Sequence, residues 1–219
     1  MIAVIDYGAG NLASVRKGLE VAAQRVCGAV GELAPAVTVT SDPDVVGQAA
    51  SVVLPGVGSF GDAAEQLRSR KLERPIAEAF MSDRPFLGIC LGLQLLFETS
   101  EESPDARGLA LVAGSVKRFE GDIKIPHMGW NQIEGPKGHP VLSGVDSGAY
   151  AYFVHSYYAA PSDESVVATE TEYGVRFCSS VGFGNVFACQ FHPEKSQKIG
   201  LRILENFVRF TINAAHPRD

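Results

Sequence analysis

Short apolar runs alternate with helix-period stretches through the first hundred residues. IAVIDY (2–7), VTVT (37–40), SVVLPG (51–56) and PFLGI (85–89) read as strands. Between them, LASVRKGLEVAAQ (12–24) has helical spacing, with Asn11 as its expected N-cap. PDVVGQA (43–49) is a short helix capped by Ser41 or Asp42, with Pro43 in its first turn. Helical spacing also covers residues 62–80, and a further helix follows the 85–89 strand to about residue 100. A β-α-β-α order with near-continuous apolar strands predicts a mostly parallel central sheet flanked by helices on both faces.

The second half changes character. GLALVAGSVKRF, PHMGWNQI, AYAYFVHSYYAA, SVVATETEY, VRFCSSVGF and NVFACQFH are successive strand-like runs separated by Gly, Asn, Ser and Pro turns. They predict antiparallel strands added to the sheet, or a small second sheet. A last amphipathic helix spans about 200–212, with Leu201, Leu204, Phe207, Val208 and Phe210 as its buried set. No repeat, linker or low-complexity stretch divides the 219 residues, so one α/β domain over 1–219 is expected.

Composition narrows the function. The chain is 46% hydrophobic and 20% charged, enough for a sizeable core, and its 23 glycines imply tight turns and close backbone approaches. A net charge of −6 without a basic block argues against nucleic acid. Asp6 interrupts the first apolar run, so a secretory leader is not expected, and no stretch approaches the roughly 18 apolar residues of a membrane span. A cytoplasmic protein with no membrane partner follows. The four cysteines, Cys27, Cys90, Cys178 and Cys189, form neither a CxxC nor a metal-ligand spacing. No disulfide framework, metal or cofactor is expected, and Cys27, Cys178 and Cys189 are taken as core or surface residues.

Cys90 is the exception. GICLG, residues 88–92, sets it between glycines where a strand meets a helix. A nucleophile elbow uses that frame, with a sharp turn lifting the reactive side chain clear. A helix start beside Cys90 favours thiolate, and the Leu91 N–H points the same way as an oxyanion donor. A cysteine nucleophile needs a base and an orienting group. His192 follows the apolar run NVFACQF, Pro193 fixes the chain after it, and Glu194 lies two residues on. His127 and His155 lie on apolar strands and are expected to be hydrogen-bonded structural or interface groups. His139 and His216 are expected at the surface.

LPGVGSFGDA (54–63) also ends a strand and opens a helix. Gly56, Gly58 and Gly61 let backbone approach a ligand, and the Val57 and Gly58 amides are candidates for a second oxyanion donor. Neither this loop nor DYGAGN (6–11) completes a phosphate-binding motif. Both glycine loops end strands, where open α/β sheets place their sites.

Together these residues resemble the class I glutamine amidotransferases. DYGAGN, PGVGSFGDA, GICLGLQLLFE with SEE, IPHMGWN, YFVHSYY and QFHPEKSQKIG occur in order over nearly the whole chain. PHMGWN and YFVHSYY narrow the resemblance to the branch serving imidazole glycerol phosphate synthases. It implies a flavodoxin-like sheet and a Cys90–His192–Glu194 triad that hydrolyses the glutamine amide. It implies oxyanion donors at Leu91 and near Val57 and Gly58, with Gly56, Gly58 and Gln94 binding glutamine. The implied partner is a separate (β/α)₈ cyclase subunit, forming a heterodimer with Lys195, Asn11 and Tyr152 at the interface. Ammonia would pass to that subunit in histidine biosynthesis. Trp130 is expected in packing or at the interface.

Overall fold

The computed structural model describes residues 1–215 except Val30, Glu32, Asp83 and Lys137; His216 therefore lies outside the described residues. The N-terminal half alternates β1 (Ile2–Ile5), α1 (Leu12–Gly28), β2 (Val37–Thr40), α2 (Pro43–Gln48) and β3 (Ser51–Gly56). α3 (Phe60–Ser69), α4 (Glu73–Met81), β4 (Phe86–Cys90) and α5 (Leu91–Gln94) follow. β2, β1, β3 and β4 pair in parallel in that order. β1, β3 and β4 are buried along their whole lengths, as strands covered on both faces must be.

Two apolar clusters cover the faces. One packs α1 and the last helix, α6 (Gln197–Ala215), through Val15, Leu19, Leu204 and Phe207. The other packs α3 and α4 through Phe60, Leu67, Ile76 and Phe80. In α6, Leu204, Phe207 and Val208 are buried as expected, but Leu201 and Phe210 are only partly so, and Ile203 completes the face.

The remaining strands are β5 (Thr99–Ser100), β6 (Gly114–Arg118), β7 (His127–Ile133), β8 (Ala149–His155), β9 (Tyr157–Pro161), β10 (Val167–Glu172), β11 (Arg176–Phe183) and β12 (Val186–Cys189). Both alternatives for the second half are realised. β11, β9, β6 and β10 extend the main sheet through antiparallel pairs, while β7 and β8 form a separate two-stranded ribbon. β12 joins the sheet parallel to β4 and antiparallel to β11, so it sits beside the strand that ends in Cys90.

Several expectations are corrected. The segment over 62–80 is two helices, broken where Lys71 takes a φ of +59°. The Asn11 side chain makes no capping bond to α1, whereas Asp42 caps α2 through the Asp44 amide. The helix after Cys90 stops at Gln94. Its continuation is lost because Leu95 and Leu96 carbonyls bond the amides of Leu109, Leu111 and Val112 instead of a next helical turn. AYAYFVHSYYAA divides at Ser156 into β8 and β9, which belong to different sheets. His139 is buried against Phe187 and Phe210 rather than exposed. Its polar flanks hide an inward ring whose Nδ1 accepts from the Val141 amide. Cys27, Cys178 and Cys189 are all buried.

Candidate active site

Cys90 ends β4 and begins the turn into α5 with φ +55° and ψ −109°. A non-glycine residue there stores about 1–3 kcal/mol of backbone strain. The neighbouring glycines make the corner possible. A Cβ on Gly88 would sit 2.7 Å from Ala188 Cβ, and one on Gly56 would sit 2.8 Å from Leu91 Cβ. β3, β4 and β12 thus converge on the turn with no room for side chains.

Cys90 is only 6% exposed, yet it lines a cavity of about 390 Å³. Leu91, Gln94, Val57 and Gly58 share that wall, as do Glu102, His155 and Tyr157. Gly56 is not in the wall; it lies beneath it, where its missing side chain lets β3 approach the elbow. Gly58 has φ +107°, a conformation its lack of a Cβ permits. As the first residue of α5, Leu91 has an amide without an intrahelical acceptor.

His192 and Glu194 sit just past β12, across from Cys90. Both side chains are almost wholly buried, and Glu194 Oε1 accepts from His192 Nδ1 at 2.8 Å. The backbone is pinned on both sides: His192 N–H donates to Tyr152 O at 2.9 Å, and Ser196 Oγ donates to His192 O at 2.7 Å. Nδ1 being committed to Glu194, Nε2 is the nitrogen left for Cys90. It is buried and makes no hydrogen bond to the described residues.

Electrostatics separate this histidine from its neighbours. Burial works against its charge, but the neighbouring Cys90 sulfur and the Glu194 carboxylate outweigh burial and lift His192 to about 9. Burial pushes His127 down to about 4 and His155 down to about 3, so both stay neutral. Of the described histidines, only His192 is tuned to hold a proton at neutral pH. A raised folded-state value means that stability from the imidazolium is fully present below about 6.5 and is lost as pH rises through about 9. The stability gap between the unmutated chain and Glu194→Gln is therefore expected to be widest near pH 6 and to shrink toward pH 10. Urea unfolding across that range measures it; a gap that widens with pH would contradict the assignment.

Lys195 and Tyr152 touch each other, Nζ lying 5.8 Å from the ring centroid, at the same strand end as His192. On the β7–β8 ribbon, Trp130 pairs with Tyr152, and Met128, Trp130 and Tyr150 are 62%, 46% and 56% exposed. Asn11 is partly exposed at the start of α1. Three site-forming residues went unread in the sequence. Gln190 donates to Cys90 Sγ, Glu102 accepts from the Phe60 amide at the cavity edge, and the buried Tyr7 hydroxyl lies against Gly56. Gln190 left a signal: alternation along NVFACQFH puts it on the side of His192.

The arrangement suits acyl transfer through a sulfur nucleophile, with a histidine to move the proton and backbone amides to receive the oxyanion. The family model for Glutamine amidotransferase class-I matches residues 4–210. The chain is 51% identical over 214 residues to "Imidazole glycerol phosphate synthase subunit HisH" of Syntrophotalea carbinolica, covering 94% of this chain and 98% of that relative. The protein of the same name from Aquifex aeolicus is 52% identical, covering 94% and 95%. Among solved structures, a glutamine amidotransferase from Thermotoga maritima matches with a TM-score of 0.60 at 14% identity, covering 97% of this chain and 96% of that one. The Trypanosoma brucei CTPS glutaminase domain with bound acivicin matches with a TM-score of 0.58 at 13% identity, covering 100% and 94%. These neighbours share the mostly parallel sheet with its helices and added antiparallel strands. By the family match over nearly its full length and by its similarity to these relatives, the chain belongs to the class-I glutamine amidotransferases.

Proposed function

We propose that this chain is the glutaminase subunit of an imidazole glycerol phosphate synthase in histidine biosynthesis. The observation that carries the reading is a cysteine on a strained strand-to-helix turn at a cavity wall, beside a histidine whose far nitrogen is held by a buried glutamate. The names of its relatives support the assignment to this synthase.

Cys90 attacks the side-chain amide carbon of glutamine, and His192 takes the thiol proton and delivers it to the departing ammonia. Glu194 holds the imidazolium that forms. The oxyanion is received by the Leu91 amide and, from the Gly56–Gly58 segment, by the Val57 or Gly58 amide. A glutamyl thioester results. Water activated by His192 then cleaves it to glutamate and restores the thiol. Gln94 contributes an acceptor to the substrate, because its amide nitrogen already bonds Tyr157 O and Gln190 Oε1.

Ammonia is useful only if it escapes protonation in bulk water. Its acceptor is a separate cyclase subunit that makes imidazole glycerol phosphate and AICAR. The exposed aromatic face of the β7–β8 ribbon, with Lys195, Tyr152 and Asn11, is the docking surface. Such a role belongs in the cytoplasm. No described helix is long and apolar enough to cross a membrane.

Glutamine hydrolysis is expected to be low for the chain alone and to rise at least about tenfold with the cyclase and its ribonucleotide. A diazo-ketone glutamine analogue is expected to label Cys90. Activation by a chorismate- or xanthosine-using synthase instead, or labelling elsewhere, would overturn the assignment.

A further inference from the structure

Gln190 is fully buried behind the cavity wall, against Cys90 and Gln94. Its Nε2 lies 3.6 Å from Cys90 Sγ, and its Oε1 lies 3.0 Å from Gln94 Nε2. The orientation of this amide follows from its neighbours. Gln94 Nε2 also lies 2.9 Å from Tyr157 O, and a backbone carbonyl can only accept. Gln94 must therefore turn its nitrogen that way. Its second hydrogen needs an acceptor, so Gln190 presents its oxygen to Gln94 and its NH₂ to the sulfur.

Tyr157 O is itself held from the other side. His155 Nδ1 donates to it at 2.8 Å, which leaves His155 Nε2 to accept from His127 Nδ1 at 2.9 Å. Asn131 Nδ2 then donates to His127 Nε2 at 3.2 Å and to Glu172 O at 2.9 Å. Backbone carbonyls fix the polarity at each end of this chain, and burial keeps both rings neutral. The amide facing Cys90 cannot flip without breaking bonds along the row.

The thiol has a second neighbour. Val154 O lies 4.0 Å from Sγ and can accept from S–H only. The sulfur thus stands between an acceptor that suits its protonated form and a donor that suits its ionised form. We propose that Gln190 is a positioning residue for the nucleophile: its amide N–H, locked in direction by Gln94 and Tyr157 O, draws the Cys90 sulfur off Val154 O and holds its negative charge as His192 takes the proton. The proposal rests on Cys90 being the nucleophile.

Gln190→Met keeps the length and removes the donor to the sulfur; it also removes an acceptor for Gln94, whose amide stays oriented by Tyr157 O. The expected result is about a tenfold slower alkylation of Cys90 by iodoacetamide at neutral pH. With the cyclase bound, kcat should fall by a similar factor while KM for glutamine stays within about twofold, since Gln190 does not line the cavity. A purely structural role would instead lower the melting temperature and leave the alkylation rate of the folded fraction unchanged. In the unmutated chain, the Gln190 side-chain amide NMR signals should follow ionisation of the sulfur and lose that dependence in Cys90→Ser. Unmutated alkylation and kcat in folded Gln190→Met, or amide signals indifferent to the sulfur, overturn the proposal. Loss of the parent reading looks different: Cys90→Ser would then still hydrolyse glutamine.

Discussion

In the complex with the cyclase, Cys90→Ser is expected to cut glutamine hydrolysis by at least about a thousandfold while the two subunits remain associated. A serine hydroxyl holds its proton far more tightly than a thiol. In the proposed mechanism His192 accepts the proton, and Cys90 is one of the two groups that raise its proton affinity, so removing the sulfur also weakens the base. The loss should therefore exceed that of a simple change of nucleophile. Association should survive because Cys90 is 6% exposed in its cavity, whereas the proposed docking face is carried by Met128, Trp130 and Tyr150. Rates of ammonia release and a sedimentation or gel-filtration profile separate the two effects. Retained hydrolysis would remove Cys90 from the chemistry, and retained inactivity with lost association would make the cysteine a structural residue.

The elbow and its partner histidine were legible because each is written locally. G-x-C-x-G after an apolar run specifies a corner, and a histidine after NVFACQF specifies a strand end. The structure brings these two ends together because β12 lies in parallel beside β4, pairing Cys189 with Ile89. That neighbour relation is long-range and left no local signal. The first four strands were legible for a similar reason, as buried parallel strands have few polar interruptions. The misread places are where tertiary bonds overrode local pattern. LGLQLLFE has helical spacing, but the Leu109–Val112 segment takes the carbonyls that its next turn would need. His139 looks like a turn residue by its neighbours, yet the fold buries its ring. Gln190 and Gln94 lie 96 residues apart, and only the folded chain shows that their amides share one row behind the sulfur.

Gly92→Ala is expected to destabilise the chain by about 3 kcal/mol or more and to abolish activity with it. Gly92 lies inside α5, where alanine would ordinarily gain up to about 1 kcal/mol in helix propensity. Here the added Cβ would fall well inside van der Waals contact of the Leu54 carbonyl oxygen and only 2.8 Å from its carbon. Leu54 pairs with Gly88 in the β3–β4 ladder, so that carbonyl cannot retreat without moving the strand that ends at the Cys90 turn. Steric cost outweighs propensity severalfold. Gly47→Ala in α2 makes the control, since nothing lies within 4 Å of its new Cβ and its conformation is helical. That variant should gain about 0.5–1 kcal/mol. For a chain of this length 1 kcal/mol moves Tm by about 2–4 °C, so the two variants should melt roughly 10 °C apart, on opposite sides of the unmutated protein. If Gly92→Ala melts within about a degree of the unmutated chain, the close packing of β3 against the elbow is not what holds Cys90 in its strained conformation.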